Sequence, residues 1–476
     1  MAEPSPVLKA DYLVGLPPEW PADDLRPAIL ERNQAAGRCI VALDDDPTGT
    51  QTVHSVWVVT RWDVETLYKA LRDGDPALYI LTNTRSYPLA EARRINREIA
   101  ANLTRAAQAA ERPVVVVSRS DSTLRGHYPG EVDALGEALA AAGASALDGV
   151  CLIPFFLEGG RYTVDDVHWV EEDDRLIPAA QTPYAQDAAF GYRHSRLPEW
   201  VEEKSGGRIR ESDVCTISLA TLREGGPNAV QAGLMAVDGG RVVVVNAASY
   251  RDIEVFVSGW QRAEDAGKRF LFRSAASFVQ VAAGLPARPL LTTEALGAGR
   301  PAGGGLIVFG SHVPKSTRQL AAACALPDVK AVELSAEAVL KPETRPAAVE
   351  RAAATLNAAL FAGQHGLIFT SRQVVTARSD EENLRTGQSI SAALMDVVER
   401  IEREPRFVIG KGGITSSDLA TKGMQVTAAR VAGQVLPGVP VWRLGPGSRW
   451  PDLPYTVFPG NVGDDEAVAH VINMYR

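Results

Sequence analysis

Cys39-Ile40-Val41-Ala42-Leu43-Asp44-Asp45-Asp46-Pro47-Thr48-Gly49-Thr50 passes from an apolar run to three acids and then into a Pro/Gly turn. A short, wholly apolar run bounded by turn residues reads as a parallel strand buried on both faces. The acids then stand at the strand's carboxyl end, where open α/β sheets bind their ligands. Three adjacent carboxylates are not expected in a core, because unpaired buried charge is costly. A helix cap would need one Asp, not three. Acids in this position can take a proton from a hydroxyl, hold a divalent cation or hydrogen-bond a polyol.

Outward from this stretch the pattern repeats. Strand-like runs at 55–60, 78–82, 114–117, 150–153 and 242–245 alternate with helix-like stretches such as 90–109 and 130–142. That alternation predicts parallel α/β structure. The Pro- and Gly-rich stretch LPARPLLTTEALGAGRPAGGG at 285–305 interrupts it. Strand-like runs then resume at 306–309, 367–370, 407–409 and 455–458. At 476 residues the chain exceeds what a single core usually supports. The expected fold is α/β in two domains, each a mainly parallel sheet with flanking helices, with the active site in the cleft between them. The expected boundaries are an N-terminal arm at 1–37, a first domain at 38–284, a linker at 285–304 and a second domain at 305–476.

Composition narrows the function. A net charge of −9 argues against nucleic acid, whose binding surfaces need clustered Lys and Arg. No apolar stretch reaches the length of a membrane span, and the first twenty residues lack the basic start and apolar core of a signal peptide. Cys39, Cys151, Cys215 and Cys324 form no CxxC pair, so neither zinc nor a disulfide framework is suggested. The expectation is a soluble cytoplasmic protein.

Two further polar turns follow strands in the first half. One is Asn83-Thr84-Arg85-Ser86-Tyr87-Pro88, and the other is Ser118-Arg119-Ser120-Asp121-Ser122-Thr123-Leu124-Arg125-Gly126-His127. With the acid turn they place carboxylates, hydroxyls and arginines at one sheet edge. That mixture suits an anionic polyol, since Arg forks a carboxylate while Asp and Ser bind hydroxyls. The loop Glu158-Gly159-Gly160-Arg161 adds Arg161 to the same rim. In the second half, strand ends lead into Gly310-Ser311-His312, Thr370-Ser371-Arg372, Lys411-Gly412-Gly413-Ile414-Thr415 and Pro459-Gly460-Asn461-Val462-Gly463. Glycines there let backbone N–H groups approach a phosphate. No GxxxxGK[ST], no GxGxxG directly after a strand and no protein-kinase motif set occurs.

These motifs together resemble the four-carbon acid sugar kinase family, the ATP-dependent kinases of tetronates and 3-oxo-tetronates. DDPTG at 45–49, TRS at 84–86 and SDSTLRG at 120–126 resemble its sugar-acid domain. Gly310-Ser311, Gly412-Gly413-Ile414-Thr415 and the 459–463 loop resemble its nucleotide domain. The chain departs from compact members at Gln51-Thr52, where they carry Asn-Asp, and at Ile414, where an acid is common. It also adds an N-terminal arm. The resemblance implies a sugar-acid site lined by Asp45, Asp46, Arg85, Asp121 and Arg125, to which the reading of the turns and the rim loop adds Asp44, Ser122, Gly126 and Arg161. It implies contacts to ATP from Ser311, Gly412, Gly413, Ile414, Thr415, Gly460 and Asn461, with Mg²⁺ as the accompanying ion and its ligands left open. Asp46 ranks first as the catalytic base, with Asp45 and Asp121 as the alternatives, and Arg125 would bind the substrate's carboxylate. The expected partners are a small sugar acid and ATP, with no nucleic acid and no membrane; a homo-oligomer is compatible with the reading. The alternatives are a kinase of another small hydroxy acid, such as a branched 3-oxo aldonate, and a non-catalytic sensor of nucleotide and sugar acid.

Overall fold

The computed structural model describes residues 3–297, 299–372, 380–460 and 462–476, the side chains of 380–384 excepted. The chain divides into two compact units, Met1–Gly49 with Arg61–Ala287, and Thr50–Thr60 with Arg288–Arg476.

In the first unit the strands Cys215–Ile217, Arg241–Val245, Gly149–Ile153, Phe270–Ser274, Val114–Arg119, Cys39–Asp44 and Ala77–Leu81 lie in that order, all parallel. Every residue of Cys39–Asp44 is buried, as expected of a strand covered on both faces. The next two strands of this sheet along the chain flank it, Ala77–Leu81 on one side and Val114–Arg119 on the other. The direction of winding therefore reverses beside Cys39–Asp44, and this is the switch point where open sheets bind ligands. Helix Leu89–Ala109 packs through Ala92, Ile95, Ile99, Leu103 and Ala106, an apolar stripe at helical spacing. At the start of helix Tyr250–Asp265 the Asp252 carboxylate reaches back and accepts from Ala248 N at 2.8 Å and Ser249 N at 3.0 Å.

A second, antiparallel sheet in this unit has the order Val7–Leu8, Arg175–Pro178, Val167–Glu172, Arg161–Val164. It takes in the N-terminal arm as an edge strand. Lys9 Nζ reaches Glu171 at 2.8 Å, and Tyr12 packs on Trp169 with ring centroids 5.2 Å apart.

In the second unit, Pro454–Phe458, Val408–Lys411, Leu306–Phe309, His365–Thr370 and Val329–Leu334 form the parallel part of the sheet. Strands Val439–Leu444, Ala428–Leu436 and Trp57–Val59 extend it in antiparallel fashion. Residues 50–60, which the sequence expectation included in the first domain, pair here instead: Gln51 Nε2 donates to Gly438 O at 3.1 Å, and Trp442 Nε1 donates to Thr50 Oγ1 at 2.9 Å. Leu306–Phe309 lies between Val408–Lys411 and His365–Thr370, so this sheet too has a switch point, at the ends that carry Gly310-Ser311 and Gly412-Gly413. The fold class expected from sequence is the one observed. Among the described residues no helix is long and apolar enough to cross a membrane.

Candidate functional site

Asp44 and Asp45 are almost wholly buried, contrary to the expectation that this acid run would stay out of the core. Asp45 is tolerated because Arg85 and Ser120 answer it, which removes the penalty on unpaired charge. Arg119 Nη1 donates to Asp44 Oδ1 at 3.2 Å. Burial nonetheless dominates at Asp44 and pushes its carboxyl up to about 8, against the opposing pull of Arg119. Gly49 closes over this group; a Cβ there would stand 1.9 Å from Asp44 Oδ2, so no larger residue fits.

Asp45 accepts from Arg85 Nη2 at 2.5 Å, from Arg85 Nε at 3.2 Å and from Ser120 Oγ at 2.6 Å. Burial raises its pKa, but Arg85 and the hydrogen bonds outweigh that and hold it below the usual carboxylate range. Asp46 is only partly buried. Its Oδ1 accepts from Thr48 N at 2.9 Å, and its Oδ2 lies 3.7 Å from Arg85 Nη1. Arg85 Nη1 is also 3.6 Å from Asp121, which in turn accepts from Arg125 Nε at 2.9 Å. Burial opposes ionisation of Asp121, yet Arg125 and Arg85 hold it well below the usual range. Gly126 has φ +116°, and a Cβ there would meet Ser120 Oγ at 2.7 Å, so glycine is required on both counts. Ser122 joins through its backbone: its carbonyl accepts from His168 Nε2 at 2.8 Å. Arg161 stands over the Tyr184 ring, on which Arg125 also packs.

The structure thus brings Asp44, Asp45, Asp46, Arg85, Asp121, Arg125 and Gly126 into one contact network. It adds residues that sequence reasoning did not single out. Arg119 and Ser120, both in the 118–127 turn, donate to Asp44 and Asp45. Arg273 is fully buried, donates from Nη2 to Arg125 O at 3.0 Å and leaves Nη1 without a partner. Tyr184 and Asp187 come from a loop that carried no motif; Asp187 lies 3.6 Å from Arg125 Nη1.

In the second unit the glycine loops touch one another. A Cβ on Gly310 would lie 1.9 Å from Thr415 Oγ1, one on Gly412 3.0 Å from Ser311 Cβ, and one on Gly460 3.1 Å from Ser311 Oγ. Ser316 Oγ donates to Gly460 O at 2.9 Å and is 2.9 Å from Ser311 Oγ. Gly412 has φ +111° and opens helix Gly413–Asp418. Ile414, on the first turn, is exposed, so an apolar residue there costs little packing. Beneath the loops lies a buried cation that the sequence hinted at: Lys411 Nζ donates to Pro459 O and, at 3.2 Å, to Gly460 O. Burial and nearby Lys315 bring its pKa down to about 7. Ser311, Gly412, Gly413, Thr415 and Gly460 are therefore one cluster; Asn461 lies outside the described residues.

These acids make a poor cation cage, since Asp45 and Asp121 are spent on arginines. The one group among the described residues spaced to share an ion is Glu3, His194 and Glu199, which includes none of them.

A sugar-binding N-terminal domain family matches residues 40–282, and a nucleotide-binding C-terminal domain family matches residues 306–468. The chain belongs to the four-carbon acid sugar kinase family. A D-erythronate kinase from Heliobacterium modesticaldum is 27% identical over 227 residues, which cover 46% of this chain and 47% of that protein. The match therefore spans about half the length of that relative. Two solved structures share the fold. A Salmonella typhimurium LT2 protein provisionally described as a tRNA synthase has TM-score 0.67 and 18% identity, over 91% of this chain and 98% of its own. Haemophilus influenzae protein HI1011 has TM-score 0.58 and 16% identity, over 92% of this chain and 100% of its own.

Proposed function

We propose that this protein is an ATP-dependent kinase that phosphorylates a hydroxyl of a small sugar acid of the tetronate or 3-oxo-tetronate type. One observation carries the reading: the edge of carboxylates and arginines occupies the switch point of the unit matched as sugar-binding. The glycine cluster at the switch point of the unit matched as nucleotide-binding supports it. Residues 38–49 with 61–284 would hold the acid, and 305–476, joined by 50–60, the nucleotide. The hydroxyl oxygen attacks the γ-phosphorus, the bond to the β-phosphate oxygen breaks, and ADP leaves. Asp46 takes the hydroxyl proton, because it is the acid of the run least committed to protein partners. Asp45 is locked by Arg85 and Ser120, which makes it a positioning group and a weak base.

Positioning and charge neutralisation do most of the work in phosphoryl transfer. The backbone N–H groups around Gly412, Gly413 and Gly460 suit phosphate oxygens, and Ser311 and Thr415 border them. Magnesium would arrive with the nucleotide phosphates. Free, well-separated cysteines suit a reducing cytoplasm. The test is ADP release from ATP against a panel of tetronates, 3-oxo-tetronates and branched aldonates. Release at the no-acceptor background with every acid would end the kinase reading.

A further inference from the structure

Three arginines of the sugar-binding edge are each hydrogen-bonded to a carboxyl group: Arg85 to Asp45 at 2.5 Å, Arg125 to Asp121 at 2.9 Å and Arg119 to Asp44 at 3.2 Å. Arg161 is not. It is nine-tenths buried, its Nε has no hydrogen-bond partner, and its Nη2 reaches only the Tyr184 hydroxyl, at 3.5 Å. It forms no ion pair among the described residues. A buried guanidinium without a counter-charge is costly, and water or a small polar contact does not repay the cost.

The surroundings keep this guanidinium fixed and uncrowded. The backbone of Arg161 exchanges hydrogen bonds with Phe156, N to O at 2.9 Å and O from N at 3.1 Å. A Cβ on neighbouring Gly159 would lie 2.4 Å from the Phe156 ring and 3.3 Å from Arg161 Nη1, so glycine keeps that side clear. Tyr184 forms a wall shared with Arg125: the two guanidinium carbons stand 5.6 and 5.1 Å from its ring centroid. Arg273 is the other arginine here without an ion pair, but it is fully covered and holds the backbone carbonyl of Arg125, so it cannot receive a ligand.

We propose that Arg161, rather than Arg125, receives the substrate's carboxylate, with Tyr184 as the wall that orients it. The proposal rests on the sugar-acid reading above and deepens it. Only one unmatched guanidinium among these is left open to a ligand, and it calls for one negative charge, which is the charge of a monocarboxylate. The sequence of contacts runs from Arg161 through Tyr184, Arg125, Asp121 and Arg85 to Asp46. A short acid anchored at Arg161 would extend its hydroxyls along that line toward the base. Arg125, answered by Asp121 and near Asp187, sets the position of Asp121.

The experiment measures binding of D-erythronate, D-threonate and the neutral polyol erythritol to the full chain by calorimetry and thermal shift, without nucleotide. Wild type should bind the acids and be stabilised by them. Arg161→Gln should weaken the acids by about 30-fold or more, while erythritol changes by less than about 3-fold. Arg161→Lys should restore only part of the loss, because a point charge does not reproduce the fork. Arg161→Met should melt no lower than unliganded wild type, since it removes an unanswered buried charge. Equal losses for acid and polyol, no stabilisation of wild type by either acid, or a lower melting point for Arg161→Met would each overturn the assignment. Its failure is separable from that of the kinase reading. Turnover with an unchanged KM in Arg161→Gln sinks only the carboxylate site; Arg161-dependent binding with no ADP release sinks only the kinase.

Discussion

Asp44, Asp45 and Asp46 are neighbours in sequence, yet their surroundings give them three different characters. Asp44 is buried under Gly49, and its carboxyl is pushed up to about 8. Asp45 is clamped by Arg85 and Ser120 and held ionised. Asp46 keeps an oxygen whose nearest cation is 3.7 Å away, so a substrate hydroxyl can compete for it. Pushing identical groups apart by environment is how acid–base roles are assigned in enzymes. Asp46→Asn should therefore fold normally and bind ATP as wild type does, while kcat falls ~10²–10⁴-fold, the usual range for a general base. A variant with near-normal kcat and an unchanged pH profile would remove Asp46 from that role.

Between elements, His168 connects the antiparallel sheet to the SDSTLRG turn. Its Nε2 faces the Ser122 carbonyl and must carry the hydrogen, leaving Nδ1 to accept from Thr163 Oγ1 at 3.1 Å. Burial, helped by the charge of Arg161, brings its pKa down to about 4, below the ordinary 6.5. The folded state then binds fewer protons than the unfolded state between those values, so stability is lost as pH falls from about 6.5 to about 4. One fully buried histidine so shifted accounts for a loss on the order of 3 kcal/mol. In urea melts, His168→Gln should show a shallower decline across that window than wild type. Parallel slopes for the two proteins would mean that other groups set the acid limit.

Elements were legible in the sequence where both faces are buried or a turn is rich in motif. Residues 39–43, 77–81 and 114–117 are solid apolar runs, and the turns after them carry most of the candidate site. Val329–Leu334 was missed because it is an edge strand, half-exposed and interleaved with Lys330 and Glu333. Ala428–Leu436 alternates buried and intermediate residues, a period of two that a search for apolar runs passes over. Tyr184, Asp187 and Arg273 reach the site only through tertiary packing, since their own neighbours in sequence carry no pattern. The acid run shows the converse limit: its position was legible, but its burial depends on Arg85 and Arg119, which are distant in sequence.

At the scale of the whole molecule, two sheets each place polar loops at their own switch point, and the two proposed ligands differ in kind. A polyol acid suits the arginines and carboxylates of the first unit, and a polyphosphate suits the glycine loops of the second. Each ligand should then protect a different set of backbone amides from hydrogen exchange. A ligand at 100 times its Kd stabilises the state it binds by about 2.7 kcal/mol, or ~100-fold slower exchange for amides that open only with that site. Under such saturation the sugar acid should slow 44–49, 83–88 and 119–127, with little change at 310–312 or 410–418. ATP, or a non-hydrolysable analogue, should slow 310–312, 410–418 and 458–460 and leave 119–127 near its unliganded rate. Gly412→Val should abolish only the second pattern, because a Cβ there already meets Ser311 at 3.0 Å in a backbone conformation that side chains rarely adopt. Protection of 119–127 by ATP alone, or of 410–418 by the acid alone, would reverse the assignment of ligands to units. Loss of both patterns in Gly412→Val would show that the glycine serves folding and not nucleotide contact.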